Sequence, residues 1–313
     1  MVPTILLIVL ALIFVVARAQ SDDPYFNGSW RKSLDSVQSC WHQSVSECNR
    51  AMVIVHGGDW DITSGVPYDS SGAFLRGWQN GADMVKGDFR VCKENVGMVM
   101  HSSPIESFES LECRGKMVED MTVAQCESCP MATTSYNFTS VPEMLSWSAD
   151  KVNFMFCLKN EKDMARSISS MLEYNAQHRA VIEIKAPHIL ELYAAKYEGW
   201  QDVYYIAELT SLADATSMLA QPQELLDRAF LIEFDNWDNS MWGGADNLRS
   251  LIDQFHAKGC RTLAATNNNA VEATKANHQA IFDAGFDVVY SYNLANAVEV
   301  RKKVNMKRGI SPP

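Results

Sequence analysis

Three residues able to do acid–base or phosphate chemistry stand where apolar runs of the sequence end. His56 ends the run AMVIVH, Asp88 ends MVKGD, and His101 ends VGMVMH. Histidine changes protonation state near neutral pH, so two histidines can serve as general base and general acid. The carboxyl ends of parallel strands open onto one pocket, and the three residues are therefore expected to meet there.

Apolar runs alternate with amphipathic segments along the chain, which is typical of a parallel α/β sheet. Strands are predicted over residues 51–56, 84–88, 152–158, 180–185, 203–207, 229–234, 262–266 and 287–291. Helices are predicted over residues 163–174, 187–197, 213–219, 245–257 and 270–284, the last capped by the asparagines at 267–269. Eight strands are the number that closes a (β/α)8 TIM barrel.

A ninth apolar run, residues 96–100, follows Asp88 after only seven residues. Seven residues are too few for a crossover helix, so this run is expected to form an antiparallel hairpin with the second strand. The hairpin would turn near residues 93–95 and bring His101 back to the pocket.

The motifs resemble, in order and spacing, those of the glycerophosphodiester phosphodiesterase family, which belongs to the phospholipase-C-like class of TIM barrels. The family's AHRG, P-E-N-T, G-A-D-x-I-E-x-D-V, V-V-x-H-D and G-K-V-x-D-L-T correspond to VHGG at 55–58, PYDS at 67–70, GADMVKGDF at 81–89, MVMHS at 98–102 and GKMVEDMT at 115–122. The resemblance implies cleavage of a glycerophosphodiester or phospholipid head group, with His56 and His101 as the acid–base pair.

Metal binding is the point at which this chain departs most from the family. Family members hold calcium or magnesium with the two carboxylates of E-x-D and the Glu of a later E-I-K motif. E-x-D has become Lys86-Gly87-Asp88, and strand order matches Cys157 to the later Glu, although Glu183-Ile184-Lys185 matches its letters. A divalent ion about 4 Å from the Lys86 ammonium would be repelled by roughly 8 kcal/mol at a dielectric near 20. We therefore expect no metal and no other cofactor.

The resemblance also implies roles for the remaining site residues. In bacterial phosphatidylinositol phospholipases C of this class an arginine replaces the metal, so Lys86 and Lys159 are expected to stabilise the phosphate charge. The substrate-binding residues expected beside them are Asp88, Gly58, Glu183 and Asn267.

A second hypothesis stays open, because further family letters are missing. Gly57 replaces the family's arginine after the first histidine, and Ser102 replaces the aspartate after the second. Tyr68-Asp69 replaces the Glu-Asn of P-E-N-T. These departures are also typical of a catalytically inactive homologue that binds a phosphate or a lipid head group.

The amino terminus predicts a secreted protein. Residues 5–17 are apolar and precede Ala17-Arg18-Ala19, an A-x-A cleavage site, so residues 1–19 are expected to be a signal peptide. A thirteen-residue run falls short of the roughly 20 residues that span a bilayer, and we expect no stable membrane anchor. Residues 20–50 are expected to form a cap, residues 51–313 the barrel domain, and residues 101–151 an insertion that covers the pocket.

The charge and the cysteine content of the chain indicate which classes of partner and which cellular compartment to expect. A net charge of −11 argues against nucleic acid as a partner. Eight cysteines in an oxidising compartment predict disulfides rather than zinc ligands, and this includes the pair Cys126-x-x-Cys129. Two sequons, at Asn27 and Asn137, are glycosylation acceptors if the host is eukaryotic.

Overall fold

The computed structural model describes residues 49–132, 134–148, 152–237, 240–265 and 273–310. Its strands are β1 (Met52–His56), β2 (Met84–Val91), β3 (Gly97–Val99), β4 (Thr139–Ser140), β5 (Phe154–Leu158), β6 (Ala180–Lys185), β7 (Tyr204–Leu209), β8 (Ala229–Phe234), β9 (Arg261–Ala265) and β10 (Val288–Ser291). All except β3 and β4 pair in parallel, and β1 pairs with both β2 and β10, which closes the ring. The predicted eight-stranded barrel is confirmed.

Alternation along the strands explains why polar residues gather at one end of the barrel. The interior cluster is apolar and is formed by residues such as Ile54, Met84, Met155 and Val181. Side chains on a strand alternate in direction, so the next inward positions toward the carboxyl end are His56, Lys86, Cys157 and Glu183. The barrel is thus filled with apolar side chains below and carries its titratable groups above.

Helices cover the outside of the barrel: α1 (Ser71–Gln79), α2 (Val123–Glu127), α3 (Val141–Trp147), α4 (Met164–Glu173), α5 (Ala186–Ala195), α6 (Leu212–Leu219), α7 (Gln223–Leu226), α8 (Ala245–Ala257), α9 (Lys275–Ala284) and α10 (Leu294–Lys307). Predicted helices correspond to α4, α5, α6 and α8 within two residues. Helix α9 begins later than predicted, with Thr274 as its N-cap, and the asparagines expected to cap it lie outside the described residues. No helix in the described ranges is both long and apolar enough to cross a bilayer.

The predicted hairpin is confirmed. Strand β2 continues beyond Asp88 to Val91, and β3 pairs with it antiparallel, Phe89 opposite Val99. Strand β4 then pairs antiparallel with β3. This three-stranded extension rises from one side of the barrel and carries the polypeptide back to His101.

The described part of the insertion packs around an apolar cluster of its own, which contains Cys92, Cys113, Cys126 and Cys129. Cys113 and Cys129 form a disulfide, so one bridge is present as predicted. Cys129 bonds to this distant partner and leaves its C-x-x-C neighbour Cys126 reduced. Three other cysteines that the prediction expected in bridges are also reduced: Cys92, Cys157 and Cys260. Cys40, Cys48, the signal peptide and most of the cap lie outside the described residues.

Candidate functional site

A cavity of about 340 Å³ at the carboxyl end of the barrel is lined by both predicted histidines. His56 comes from the end of β1, and His101 follows the return strand of the hairpin. The complete lining is His56, Trp60, Ile62, Pro67, Tyr68, Asp69, His101, Phe108, Glu109, Met131, Phe138 and Tyr292. We call it the apolar cavity, because most of these side chains are hydrocarbon or aromatic.

His56 is held by an aromatic neighbour that the sequence analysis did not identify. Its Nε2 lies 2.9 Å from the Tyr292 hydroxyl, and the two rings stack with centroids 4.1 Å apart. Its Nδ1 is buried without a hydrogen-bond partner among the described residues. Burial, followed by the charge of Lys86, holds the pKa of His56 well below its usual value. His56 is therefore neutral at neutral pH.

His101 is fixed through its backbone as well as its ring. The Nδ1 atom lies 2.9 Å from Ser102 Oγ, and the backbone N–H groups of His101 and Ser102 donate to the Glu109 carboxylate at 2.8 and 3.1 Å. Arg90 Nε donates to the His101 carbonyl at 2.9 Å. Burial lowers the pKa of His101, and the negative charge of Asp88 opposes part of that shift. Ser102 thus contacts the histidine where the family has an aspartate.

Two ammonium groups share one buried carboxylate next to the histidines. Lys86 Nζ and Lys159 Nζ both bond to Asp88 Oδ1, the latter at 2.8 Å, and the Tyr68 hydroxyl donates to Asp88 Oδ2 at 2.9 Å. Burial by itself would raise the pKa of Asp88, but the ammonium groups outweigh it and hold that pKa well below the usual range. Lys86 Nζ also donates to the Tyr68 hydroxyl at 3.0 Å. Lys86 is 1% exposed and lies beneath Tyr68, outside the cavity lining.

The three family ligand positions do not form a site for calcium or magnesium. The Lys86 ammonium occupies one of them, and both oxygens of Asp88 already accept hydrogen bonds. Burial raises the pKa of the Cys157 thiol well above its usual value, which keeps it neutral and a poor ligand for a hard cation. Within the described ranges, no group of three or more His, Cys, Asp or Glu side chains is placed to hold a metal ion.

The other predicted binding residues are absent from the lining of the apolar cavity or lie outside the described residues. A Cβ at Gly58 would lie 2.5 Å from the backbone of Ala73, so this glycine allows helix α1 to approach. Glu183 is buried at the end of β6. Burial, followed by the charge of Glu183, raises the pKa of Glu233 well above the usual range. Asn267 is not among the described residues.

Tyr68 and Asp69 form part of the cavity wall, although the sequence analysis treated them only as departures from the family. The Tyr68 ring lies 5.3 Å from the His56 ring and 6.1 Å from the His101 ring, measured between centroids. Asp69 Oδ2 accepts the Asp88 backbone N–H at 3.2 Å, whereas Oδ1 is buried without a partner among the described residues. Burial, followed by the charge of Asp88, raises the pKa of Asp69 well above its usual range. Both residues lie in the motif PYDS, which corresponds to the family's P-E-N-T. That correspondence could have indicated that they belong to the site.

A second cavity, of about 560 Å³, is also lined by His101. Three cationic side chains line it, from Arg90, Arg114 and Lys159, together with the carboxylate of Glu106. We call it the cationic cavity. His101 belongs to both linings, so it stands where an apolar compartment meets a polar one.

Known structures share this fold, whereas the sequence itself matches no protein-family model and no curated protein. A glycerophosphoryl diester phosphodiesterase from Parabacteroides distasonis superimposes with a TM-score of 0.64, at 15% identity over 87% of this chain and 92% of that one. The enzyme from Thermotoga maritima gives a TM-score of 0.57 at 16% identity, covering 80% of this chain and 98% of its own.

An Oleispira antarctica phosphodiesterase, solved with the product sn-glycerol-3-phosphate, gives a TM-score of 0.59 at 14% identity and covers 82% of this chain and 98% of its own. At such low identity the similarity establishes the fold. The chain therefore has the barrel of glycerophosphodiester phosphodiesterases, as its motifs predicted.

Proposed function

We propose that this protein cleaves phosphodiesters with His56 and His101 as its acid–base pair, without a bound metal. The observation that carries the proposal is that both histidines line one cavity at the carboxyl end of a phosphodiesterase-type barrel. The Oleispira antarctica enzyme with this fold binds sn-glycerol-3-phosphate, which supports a glycerophosphodiester or phospholipid head group as the ligand here.

The two histidines take complementary roles in this mechanism. His56, whose pKa is held furthest down, is the neutral base and accepts the proton of the attacking hydroxyl. The new P–O bond forms as the bond to the leaving alcohol breaks, and His101 gives that alcohol its proton. The negative charge of the bound phosphodiester favours the protonated form of His101.

Charge on the phosphoryl oxygens is balanced by groups at the edge of the site. Lys159 is 22% exposed at its side chain and lines the cationic cavity beside His101. Lys86 and Lys159 both pair with Asp88, but only Lys159 lines one of the two cavities, so Lys159 is the one that supplies positive charge to the phosphate. Asp69 belongs to the cavity wall, and burial raises the pKa of its carboxyl group well above the usual range.

Alanine variants of the histidines test the proposal directly. Purified wild-type protein is assayed on glycerophosphocholine and on a lysophospholipid, beside His56→Ala, His101→Ala and the control His188→Ala, a histidine near the start of α5. We expect each site variant to lose at least about 10²-fold in kcat, and the control to keep its rate. Equal rates in all four proteins, with unchanged far-UV circular dichroism, would show that His56 and His101 take no part in the reaction.

One observation favours a second function, binding without cleavage. Tyr68 stands beside both histidines and lies over Gly57, where the family carries an arginine. A protein that binds phosphodiesters and turns none of them over, with or without added calcium or magnesium, would be a head-group-binding homologue.

We also propose that the chain is secreted after removal of residues 1–19, on the strength of the apolar run and the A-x-A site. N-terminal sequencing of protein recovered from the medium of expressing cells should begin near Gln20. An intact Met1 on the exported protein would exclude cleavage at this site.

A further inference from the structure

The apolar cavity has a rim of large apolar side chains that are open to solvent. Trp60 is 37% exposed, Ile62 45% and Phe108 50%, and all three belong to the cavity lining. Deeper in the same cavity lie Met131 and Phe138, which are almost fully buried. A continuous apolar wall that runs from the core to an exposed rim is typical of a surface that covers an apolar ligand.

The two cavities that His101 lines differ sharply in chemistry. Arg90, Arg114 and Lys159 give the cationic cavity a surface suited to hydroxyl and anionic groups, whereas the apolar cavity offers hydrocarbon and aromatic faces. A phosphodiester has two ester arms that leave the phosphorus in different directions. With its phosphate beside His101, one arm meets each cavity, and the two arms are matched by unlike surfaces.

We infer that the substrate is an amphiphilic phosphodiester, whose apolar chain lies in the apolar cavity and whose polar arm faces the cationic cavity. The inference rests on the proposed function and specifies its substrate class. A volume of about 340 Å³ is near the lower end of the roughly 300–1,000 Å³ typical of ligand pockets. That volume suits one chain better than two, as in a lysophospholipid.

A chain-length series measures the contribution of the apolar wall. Glycerophosphocholine is compared with lysophosphatidylcholines of increasing acyl length, each kept below its critical micelle concentration. Burial of each methylene is worth a factor of roughly four in kcat/KM, and the gain should stop when the cavity is full. Equal kcat/KM along the series would overturn the inference and leave the proposed function intact.

Variants at the rim locate the effect in this cavity. Phe108→Ala and Trp60→Ala should each lower the ratio of long-chain to short-chain kcat/KM by about tenfold, because each removes apolar surface from the chain. Leu111→Ala is the matched control: this leucine is 59% exposed, lies in the same segment and is outside the cavity lining. A ratio that falls equally in the control would place the chain elsewhere.

Binding measured apart from turnover separates this inference from the proposed function. The His56→Ala variant is titrated with a long-chain lysophosphatidylcholine and a long-chain lysophosphatidylglycerol, with tryptophan fluorescence as the readout. Tight binding of both lipids by a protein whose wild type cleaves neither would refute the proposed function and support the chain site. Binding of the choline lipid and glycerophosphocholine, but not of the glycerol lipid, would mean that the aromatic wall recognises a quaternary ammonium and would overturn the chain site.

Discussion

The ring of Tyr68 occupies the space that any side chain at Gly57 would need. A Cβ at Gly57 would lie 2.0 Å from Tyr68 Cε2, and the backbone there has a φ of 64°, in the left-handed region. The missing arginine and the added tyrosine are therefore one coupled change. Tyr68 also hydrogen-bonds to Asp88 and receives a hydrogen bond from Lys86, so it ties that change to the buried charges.

A double-mutant cycle tests this coupling. Gly57→Ala should lower the free energy of unfolding by about 3 kcal/mol, because the new methyl group collides with the Tyr68 ring and the backbone is strained. In a Tyr68→Ala background the same substitution should cost only about 1 kcal/mol, the residual backbone term. Urea unfolding of the four proteins gives the comparison, and an unchanged cost would mean that the ring moves aside freely.

The two lysines are expected to respond differently to replacement by methionine. Lys86→Met removes a fully buried partner of Asp88 and should lower the free energy of unfolding by about 3 kcal/mol. Lys159→Met, at a partly exposed position, should cost about 1 kcal/mol but lower kcat/KM by about 10²-fold. Lys162→Met, an exposed neighbour, serves as the control for both measurements. A larger catalytic than structural loss at Lys86 would contradict the assignment of phosphate contact to Lys159.

The acid side of the pH–rate profile should lie below the ordinary histidine value. The active form of His56 is neutral, and its pKa is lowered from 6.5, so the acid limb of the profile should have its midpoint below pH 6.5. Lys159 contributes to that lowering, so Lys159→Met should move the acid limb to higher pH. Profiles of kcat/KM against pH for the two proteins decide the matter, and a wild-type midpoint above 6.5 would refute the assignment.

Cleavage by the wild type should be insensitive to EDTA, because the Lys86 ammonium stands in the family's metal position. The variant Lys86→Glu/Cys157→Glu restores the carboxylate pattern and should instead require calcium or magnesium. Rates with and without EDTA, followed by addition of each metal, provide the measurement. A silent wild type beside a metal-dependent double variant would make Lys86 the cause of lost catalysis and favour the binding function.

His278 should make the fold sensitive to acid independently of the site. Its Nε2 lies 2.8 Å from Ser291 Oγ, and burial lowers its pKa to about 4. The unfolded chain binds a proton near pH 6.5 and the folded chain does not, so stability is lost as pH falls from 6.5 toward 4. Between pH 7.5 and 5.0 this loss amounts to about 2 kcal/mol. Urea unfolding of His278→Gln should show a smaller dependence on pH in that range, and an equal dependence would assign the loss to other groups.

The barrel was predictable because each strand has an apolar run of the right length and because the short link after Asp88 allows only a hairpin. Pairing in the insertion was not predictable, since a C-x-x-C spacing does not reveal that Cys129 reaches Cys113. Helix α9 begins at Lys275, five residues later than predicted, with Thr274 as its N-cap, and the sequence pattern did not single out this threonine.

The proximity of the candidate site residues was predictable, and their depth was less so. The proximity of four residues followed from their positions at or just after strand ends: His56, Asp88, His101 and Lys159. The carboxyl ends of parallel strands lie at the same end of the barrel. Sequence spacing carries no information about burial, so it did not show that Lys86 lies beneath Tyr68. Nor did it show that Tyr292, one residue beyond β10, turns back to His56.

The two histidines are held by different parts of the molecule. His56 lies at the end of β1, which pairs with its neighbours in the closed eight-stranded barrel. His101 follows the hairpin extension, and its backbone N–H donates to Glu109 in the insertion. A change in the length of the segment after β3 is therefore expected to move His101 relative to His56, which keeps its place at the end of β1. The relative position of the two histidines is thus set by contacts of the insertion and not by the barrel strands alone.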